Sequence, residues 1–177
     1  VTAADGSTKA YTVTITEEVY TVVSDGPAGG KVFIADDTCV QDGCYRYYEA
    51  TLVGAESASV WGTDVETSAT LTEIGTGKTN TDTIILVDTE GGQAANYCNN
   101  LIVGEYSDWF LPAYDELFAI CQNGGDLAFP TDGTNYWSSS EKDIDEAFGV
   151  YDDGGGCTQN PMGKNPGEAR IRCIRAF

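Results

Sequence analysis

Apolar and polar positions along the chain mark a short series of elements. Lys9 to Thr16 alternates, with Tyr11, Val13 and Ile15 on one face and Thr12, Thr14 and Thr16 on the other; that is the two-residue period of a strand. The turn-forming run Asp5-Gly6-Ser7-Thr8 precedes it, and Ser24-Asp25-Gly26-Pro27-Ala28-Gly29-Gly30 marks a boundary after it. Strands are predicted over Lys31 to Ala35 and Tyr45 to Ala50, with an acidic loop from Asp36 to Gly43 between them. Thr76 to Asp82 is polar and reads as a loop, and Ile84 to Val87 is a short apolar run. Glu90 to Leu101 reads as a helix, because Ala94, Ala95, Tyr97, Cys98 and Leu101 mark a helical stripe. A second helix is predicted to begin after Pro112 and run to about Cys121, with Leu117, Phe118 and Cys121 turned to a core. After Asn123-Gly124-Gly125 the pattern returns to strands at Asn135 to Ser139, Ala147 to Tyr151 and Arg170 to Ala176. Lys142 to Glu168 is rich in Asp, Gly, Asn and Pro and reads as long surface loops.

Composition narrows the chemistry. A chain of 177 residues can bury one good core. Its formal charge of −19 repels nucleic acid and anionic lipid, so neither is an expected partner. With no histidine, the usual general base and the commonest metal ligand are missing, which excludes serine–histidine and cysteine–histidine catalysis and a histidine-bearing zinc site. Six cysteines without a Cys-x-x-Cys pair suit disulfides in an oxidising compartment better than a zinc ribbon. They allow fifteen pairings. No apolar run is long enough to cross a bilayer and no signal peptide is present, so an export signal would lie in a part of the protein outside this sequence.

Three phrases carry a family resemblance. They are Tyr106-Ser107-Asp108-Trp109-Phe110-Leu111-Pro112 with Asp115-Glu116-Leu117, then Tyr136-Trp137-Ser138-Ser139-Ser140-Glu141, then Arg170-Ile171-Arg172-Cys173-Ile174-Arg175-Ala176-Phe177. In this order they resemble the DUF1566 family, the C-terminal domain of collagen-like adhesins on bacterial surfaces. The Gly-Pro-Ala-Gly-Gly turn at residues 26–30 and the Trp61-Gly62 pair have counterparts there, so the resemblance spans roughly residues 25 to 177, least distinctly over 51 to 80. It implies an α+β, C-type lectin-like fold, with two helices flanking a twisted antiparallel sheet. In that fold a cysteine of the first helix commonly bonds one of the last strand, places held here by Cys98 and Cys173; Cys39 with Cys44 and Cys121 with Cys157 are then the remaining pairs. Family members often cap the second helix with serine after the proline. Ala113 stands there instead, which leaves Asp115 and Glu116 to support the helix start through its dipole. Asp5 to Thr14 resembles the closing strands of a bacterial cadherin-like β-sandwich, so residues 1–20 read as the end of such a module. The expected division is an N-terminal strand extension over 1–23 and one domain over 24–177.

Candidate chemistry is sparse. The chain lacks the Glu-Pro-Asn or Gln-Pro-Asp loop and the Asn-Asp pair of calcium-dependent sugar binders, and Gln159-Asn160-Pro161 has the letters in the wrong order. Loop carboxylates at Asp36-Asp37 with Asp42, at Asp143 with Asp145 and at Asp152-Asp153 are of the oxygen type calcium prefers, so Ca2+ at Asp152 and Asp153 is the one metal expectation; the plainer reading is solvated loop charge. Trp109, Phe110 and Trp137 read as core rather than as a glycan platform. Arg170, Arg172 and Arg175 read as partners of Asp108, Asp115, Glu116 and Glu141, pinning the terminal strand to the helices. Relatives that bind sulfated glycans would need a positive surface, which this acidic chain does not suit. Binding residues gather in surface loops, so the candidate ligand face is Asp143, Asp145, Tyr151, Asp152, Asp153, Gln159, Asn160 and Asn165.

The expected function is that of an extracellular, cell-surface adhesion or binding module, not an enzyme and without a cofactor, presenting these loops to a glycan or protein ligand. The alternative is a structural subunit or tip of a surface filament, with residues 1–23 pairing with a neighbouring subunit, since an unpaired strand edge is a template for strand addition. An oxidative enzyme of the formylglycine-generating kind, using Cys157 and Cys173, is the third reading and the weakest, because low-pKa thiols need an electropositive setting.

Overall fold

Two strands with buried side chains, β1 (Lys31–Ala35) and β2 (Tyr47–Ala50), pair antiparallel and begin the first sheet. The computed structural model describes residues 17–39, 44–52, 56–90, 93–165 and 168–177. The predicted strand over Lys9 to Thr16 lies outside them, as does Asp42. After β2 come β3 (Ser57–Val60), three helices α1 (Gly77–Val87), α2 (Gln93–Asn99) and α3 (Tyr114–Asn123), and then β4 (Tyr136–Glu141), β5 (Glu146–Asp152), β6 (Cys157–Gly163), β7 (Glu168–Ile171) and β8 (Ile174–Ala176). The fold is α+β. A three-stranded sheet runs β1-β2-β8 and a five-stranded sheet runs β3-β7-β4-β5-β6.

Four expectations need correction. There are three helices among the described residues, not two: Thr76 to Asp82 does not form a loop but, together with the apolar run Ile84 to Val87, makes up α1. The buried face of α1 is Gly77, Asn80, Thr81 and Ile84. It keeps the helical spacing but is mostly polar or bare, so hydrophobic periodicity is blind to it. Hydrogen bonds satisfy it instead: Asn80 Nδ2 donates to Leu71 O at 2.6 Å, and Thr81 Oγ1 accepts from Leu111 N at 3.0 Å. The terminal strand is also two strands. β7 belongs to the larger sheet and β8 to the smaller, and the chain changes sheet at Arg172-Cys173. Nor is the larger sheet wholly antiparallel, since β4 and β7 pair parallel at Tyr136 and Arg170. Finally, Lys142 to Glu168 is not loop throughout: β5 and β6 form a hairpin paired from Glu146–Gly163 to Asp152–Cys157. Pro161 hid β6 from sequence reading; a proline is tolerated there because β6 is an edge strand.

Two clusters form the core. One packs Leu117 and Ile120 of α3 against Phe33, Tyr48, Tyr136, Val150 and Ile174. The other packs Ala94, Ala95 and Cys98 of α2 with Ile84 against Trp61, Trp109, Trp137 and Ile171. Residues 17–25 lie along the first sheet. The ring of Tyr20 meets Tyr47 and Phe177 with centroids 5.2 Å away in each case, and Val23 N donates to Val32 O.

α3 starts without a capping side chain at Ala113, and its first N–H groups find partners elsewhere. Tyr114 N donates to Ser140 Oγ at 2.9 Å and Asp115 N to Thr72 O at 2.9 Å. Glu116 reaches back, its Oε2 accepting from Ala113 N at 2.7 Å and its Oε1 from Gly75 N at 2.8 Å. Burial pushes the Glu116 carboxyl up to about 7, against the downward pull of these backbone N–H groups. A folded-state pKa above the unfolded one means that the fold holds the proton more tightly. The resulting stability is present below the unfolded value of 4.5 and is lost as pH rises toward 7. Unfolding in urea is therefore expected to show about 2–3 kcal/mol lost through this group over that window. The same titration of Glu116→Gln should give a visibly flatter profile; an unchanged profile would exclude Glu116 as the cause.

Candidate functional site

The three shared phrases meet in space and lock one another. Phe110 and Ile174 exchange backbone hydrogen bonds at 2.8 and 3.0 Å, which ties the first phrase to the last. Ser139 N donates to Pro112 O at 2.7 Å, which ties the second to the first. The three serines of β4 are fully buried, and the hydroxyls of two of them carry part of this lattice: Ser138 Oγ donates to Phe148 O and Ser140 Oγ to Leu71 O, while Ser138 O accepts from Trp61 Nε1 at 2.7 Å. Trp61, Trp109 and Trp137 are core residues, at most 1% exposed.

The arginines close the frame, partly on acids other than those expected. Arg175 grips Asp108 through Nε and Nη2, each at 2.9 Å, and lies 3.4 Å from buried Glu49. Burial works against the Asp108 charge, but Arg175 holds its carboxyl below the ordinary value. Arg172, fully buried, pairs with Glu56, and Arg170 reaches the same carboxylate at 3.2 Å. Glu116 serves backbone N–H groups rather than an arginine. Glu141 pairs with Lys164, and both side chains are buried. Lys164 Nζ also donates to Val65 O at 2.9 Å and Ile144 O at 3.0 Å, and lies 4.9 Å from the ring centre of Trp61. Glu49 holds the glycine turn, accepting from Gly30 N at 2.6 Å and Ala28 N at 3.2 Å. Gly30 has no room for a side chain there, since a Cβ would lie 2.2 Å from Ala50 O.

Three disulfides join Cys39 to Cys44, Cys98 to Cys173 and Cys121 to Cys157. Cys157 and Cys173, the pair an oxidative enzyme would require, are thus bonded to other partners. Asp152 lies close to the Cys121–Cys157 bridge, but sulfurs already joined to each other offer no thiolate to a metal.

The candidate ligand residues do not form one cluster. Asp143, Asp145 and Asn165 sit at one end of the β5–β6 hairpin and Asp152 and Asp153 at the other; seven residues of β5 separate the ends by roughly 20 Å. Tyr151 and Gln159 lie between, nearer the second end, and Asn160 lies midway. Several of these acids do local work: Asp143 Oδ1 accepts from Asp145 N and Glu146 N, Asp152 Oδ1 from Gly154 N and Gly156 N, and Asp153 Oδ1 from Gly155 N. These are turns closed by an aspartate side chain. Asp36 closes one in the same way, accepting from Thr38 Oγ1 and Thr38 N, which hold its carboxyl below the ordinary value. Asn160 Nδ2 donates to Asn135 Oδ1 at 2.8 Å. Gln159, Asp153, Asp143, Asp145 and Asn165 are exposed, and Tyr151 and Asp152 half-buried.

Sequence reading missed Lys164, Glu56 and Glu49. Glu141 ends six consecutive buried residues and so needs a cation, but that burial belongs to the fold and is not visible in the sequence.

No family model matches the chain. No curated protein matches it either. Among solved structures it is similar to a fimbrial protein from Bacteroides ovatus, with a TM-score of 0.53 and 12% sequence identity over 81% of this chain. The chain spans 38% of that protein's length. At this identity the likeness is one of fold.

Proposed function

We propose that the chain is a non-enzymatic, extracellular module of a bacterial surface protein, of the DUF1566 kind on a C-type lectin-like scaffold. The likeness in fold to a fimbrial protein carries this reading. Three disulfides support an oxidising location, and no helix among the described residues is long and apolar enough to cross a membrane. The mechanism is display: the locked phrases fix the frame, and the β5–β6 hairpin meets a glycan or protein through Tyr151, Asp153, Gln159 and their neighbours. Calcium, if used, sits at Asp152 and Asp153. The second reading is a subunit or tip of a filament, favoured by the alternating pattern of Lys9 to Thr16. Because Tyr20 and Val23 pack on the domain, a trimmed chain should begin at Glu17 rather than after Val23.

Sedimentation of the full and trimmed chains, with glycan and protein arrays probed with and without calcium, separates the readings. The filament reading expects assemblies that vanish on trimming. The display reading expects a particle of unchanged size whose array binding is lost in Tyr151→Ala/Gln159→Ala. Neither assembly nor binding would remove both.

A further inference from the structure

A groove runs along α2, and its lining is mostly uncharged. It is an open groove of about 440 Å³, lined by Glu90, Gln93, Asn96, Tyr97 and Asn100 with Leu101 and Ile102. That volume lies within the roughly 300–1,000 Å³ of small-molecule sites. Gln93, Asn96, Tyr97 and Asn100 are spaced three, four and seven apart, so they stand on one face of α2 and its C-terminal end. The opposite face of α2 is Ala94, Ala95 and Cys98, all fully buried, and Cys98 is bonded to Cys173. The stripe is therefore mounted on a helix that is covalently fixed to the sheet, as a preorganised site requires.

We propose that this groove binds a neutral saccharide. A carboxamide both donates and accepts, which matches the paired donor and acceptor character of adjacent sugar hydroxyls. Three carboxamides stand here together, beside a phenol ring and next to Ile102, an aliphatic side chain left 69% exposed. Ser59 Oγ donates to Gln93 Oε1 at 3.2 Å, which orients that amide. The apolar face of a pyranose supplies the surface that Tyr97 and Ile102 would cover. Among the described residues Glu90 is the one charged group in the wall, and it is an acid. In a chain of net charge −19 this disfavours sulfated or carboxylated sugars and leaves neutral ones. The site is separate from the β5–β6 hairpin; it leans on the displayed-module reading only for where a sugar would be met.

The test is a titration of isotope-labelled full chain with the methyl glycosides of glucose, galactose, mannose and N-acetylglucosamine and the matching disaccharides, followed through side-chain amide resonances. With at least one of these sugars the carboxamides of Gln93, Asn96 and Asn100 should shift. Asn96→Ala/Asn100→Ala should weaken binding about tenfold or more, its backbone spectrum reporting an intact fold, while Val19→Ala, an exposed change outside both candidate sites, should leave it unchanged. Absence of shifts at these three amides with every sugar, or shifts undiminished in the alanine variant, would overturn the proposal. Sugar binding lost in the hairpin variant Tyr151→Ala/Gln159→Ala but kept in the groove variant would also overturn it, and would speak for the hairpin instead.

Discussion

Replacing Lys164 with methionine should cost about 3–5 kcal/mol of folding stability, among the largest losses a single substitution can bring here. Methionine keeps much of the packing against Trp61 but removes the ammonium, leaving the Glu141 carboxylate buried. Its Oε1 and Oε2 would retain the N–H of Thr67 and its Oε2 the N–H of Ser68, but no cation. Val65 O and Ile144 O would lose their donor as well. Denaturant unfolding should show the midpoint falling while the slope stays the same, since the surface exposed on unfolding is unchanged. Lys164→Met/Glu141→Gln should recover more than half of the loss, because a glutamine can still accept from Thr67 and Ser68 without burying a charge. A loss below about 1 kcal/mol in the single variant would mean that the pair is solvated in solution, and the end of β6 would then not be anchored.

Lys164 also shows where reading the sequence stops. β1 is legible to the residue, because Lys31 to Ala35 carries a short apolar run between two turn-rich runs. α2 and α3 are legible in kind because their buried faces are apolar apart from Glu116, although α2 is shorter than the predicted Glu90 to Leu101. α1 is illegible for the opposite reason: Asn80 and Thr81 are buried by hydrogen bonds to the Leu71 and Leu111 backbone, and no pattern of hydrophobicity encodes a bond to a carbonyl far along the chain. The break between β7 and β8 is illegible because Arg172, an extended residue in an extended run, turns from one sheet to the other through its buried contact with Glu56. The candidate loops suffered similarly. Asp, Gly and Asn signal turns, and turns do occur at 143–145 and 153–156. The signal is local, however, and cannot say that the intervening residues pair as a hairpin that carries the two turns to opposite ends.

Opening the Cys98–Cys173 bridge should destabilise the fold more than opening either of the others. The bridge closes a loop with a sequence separation of 75, against 36 for Cys121–Cys157 and 5 for Cys39–Cys44. In the chain-entropy account this ranks the losses at about 4.5, 4 and 2 kcal/mol respectively. Location adds to the ranking. Cys173 sits at the switch between sheets, beside Arg172, and Cys98 is on the buried face of α2. The bridge therefore holds the helix, the last strand of the large sheet and the first residue of β8 in one place. Thermal and denaturant unfolding of Cys98→Ala/Cys173→Ala, Cys121→Ala/Cys157→Ala and Cys39→Ala/Cys44→Ala should fall in that order. Alanine leaves a small cavity at Cys98 and Cys173, both at most 1% exposed, which adds to the loss there and not at the exposed Cys44. The reverse order would mean that the unfolded chain is not the state the long bridge restrains. In that case the last strand would be held chiefly by Arg172 on Glu56 and Arg175 on Asp108, with the Phe110–Ile174 backbone bonds, and Arg172→Leu would become the more damaging change.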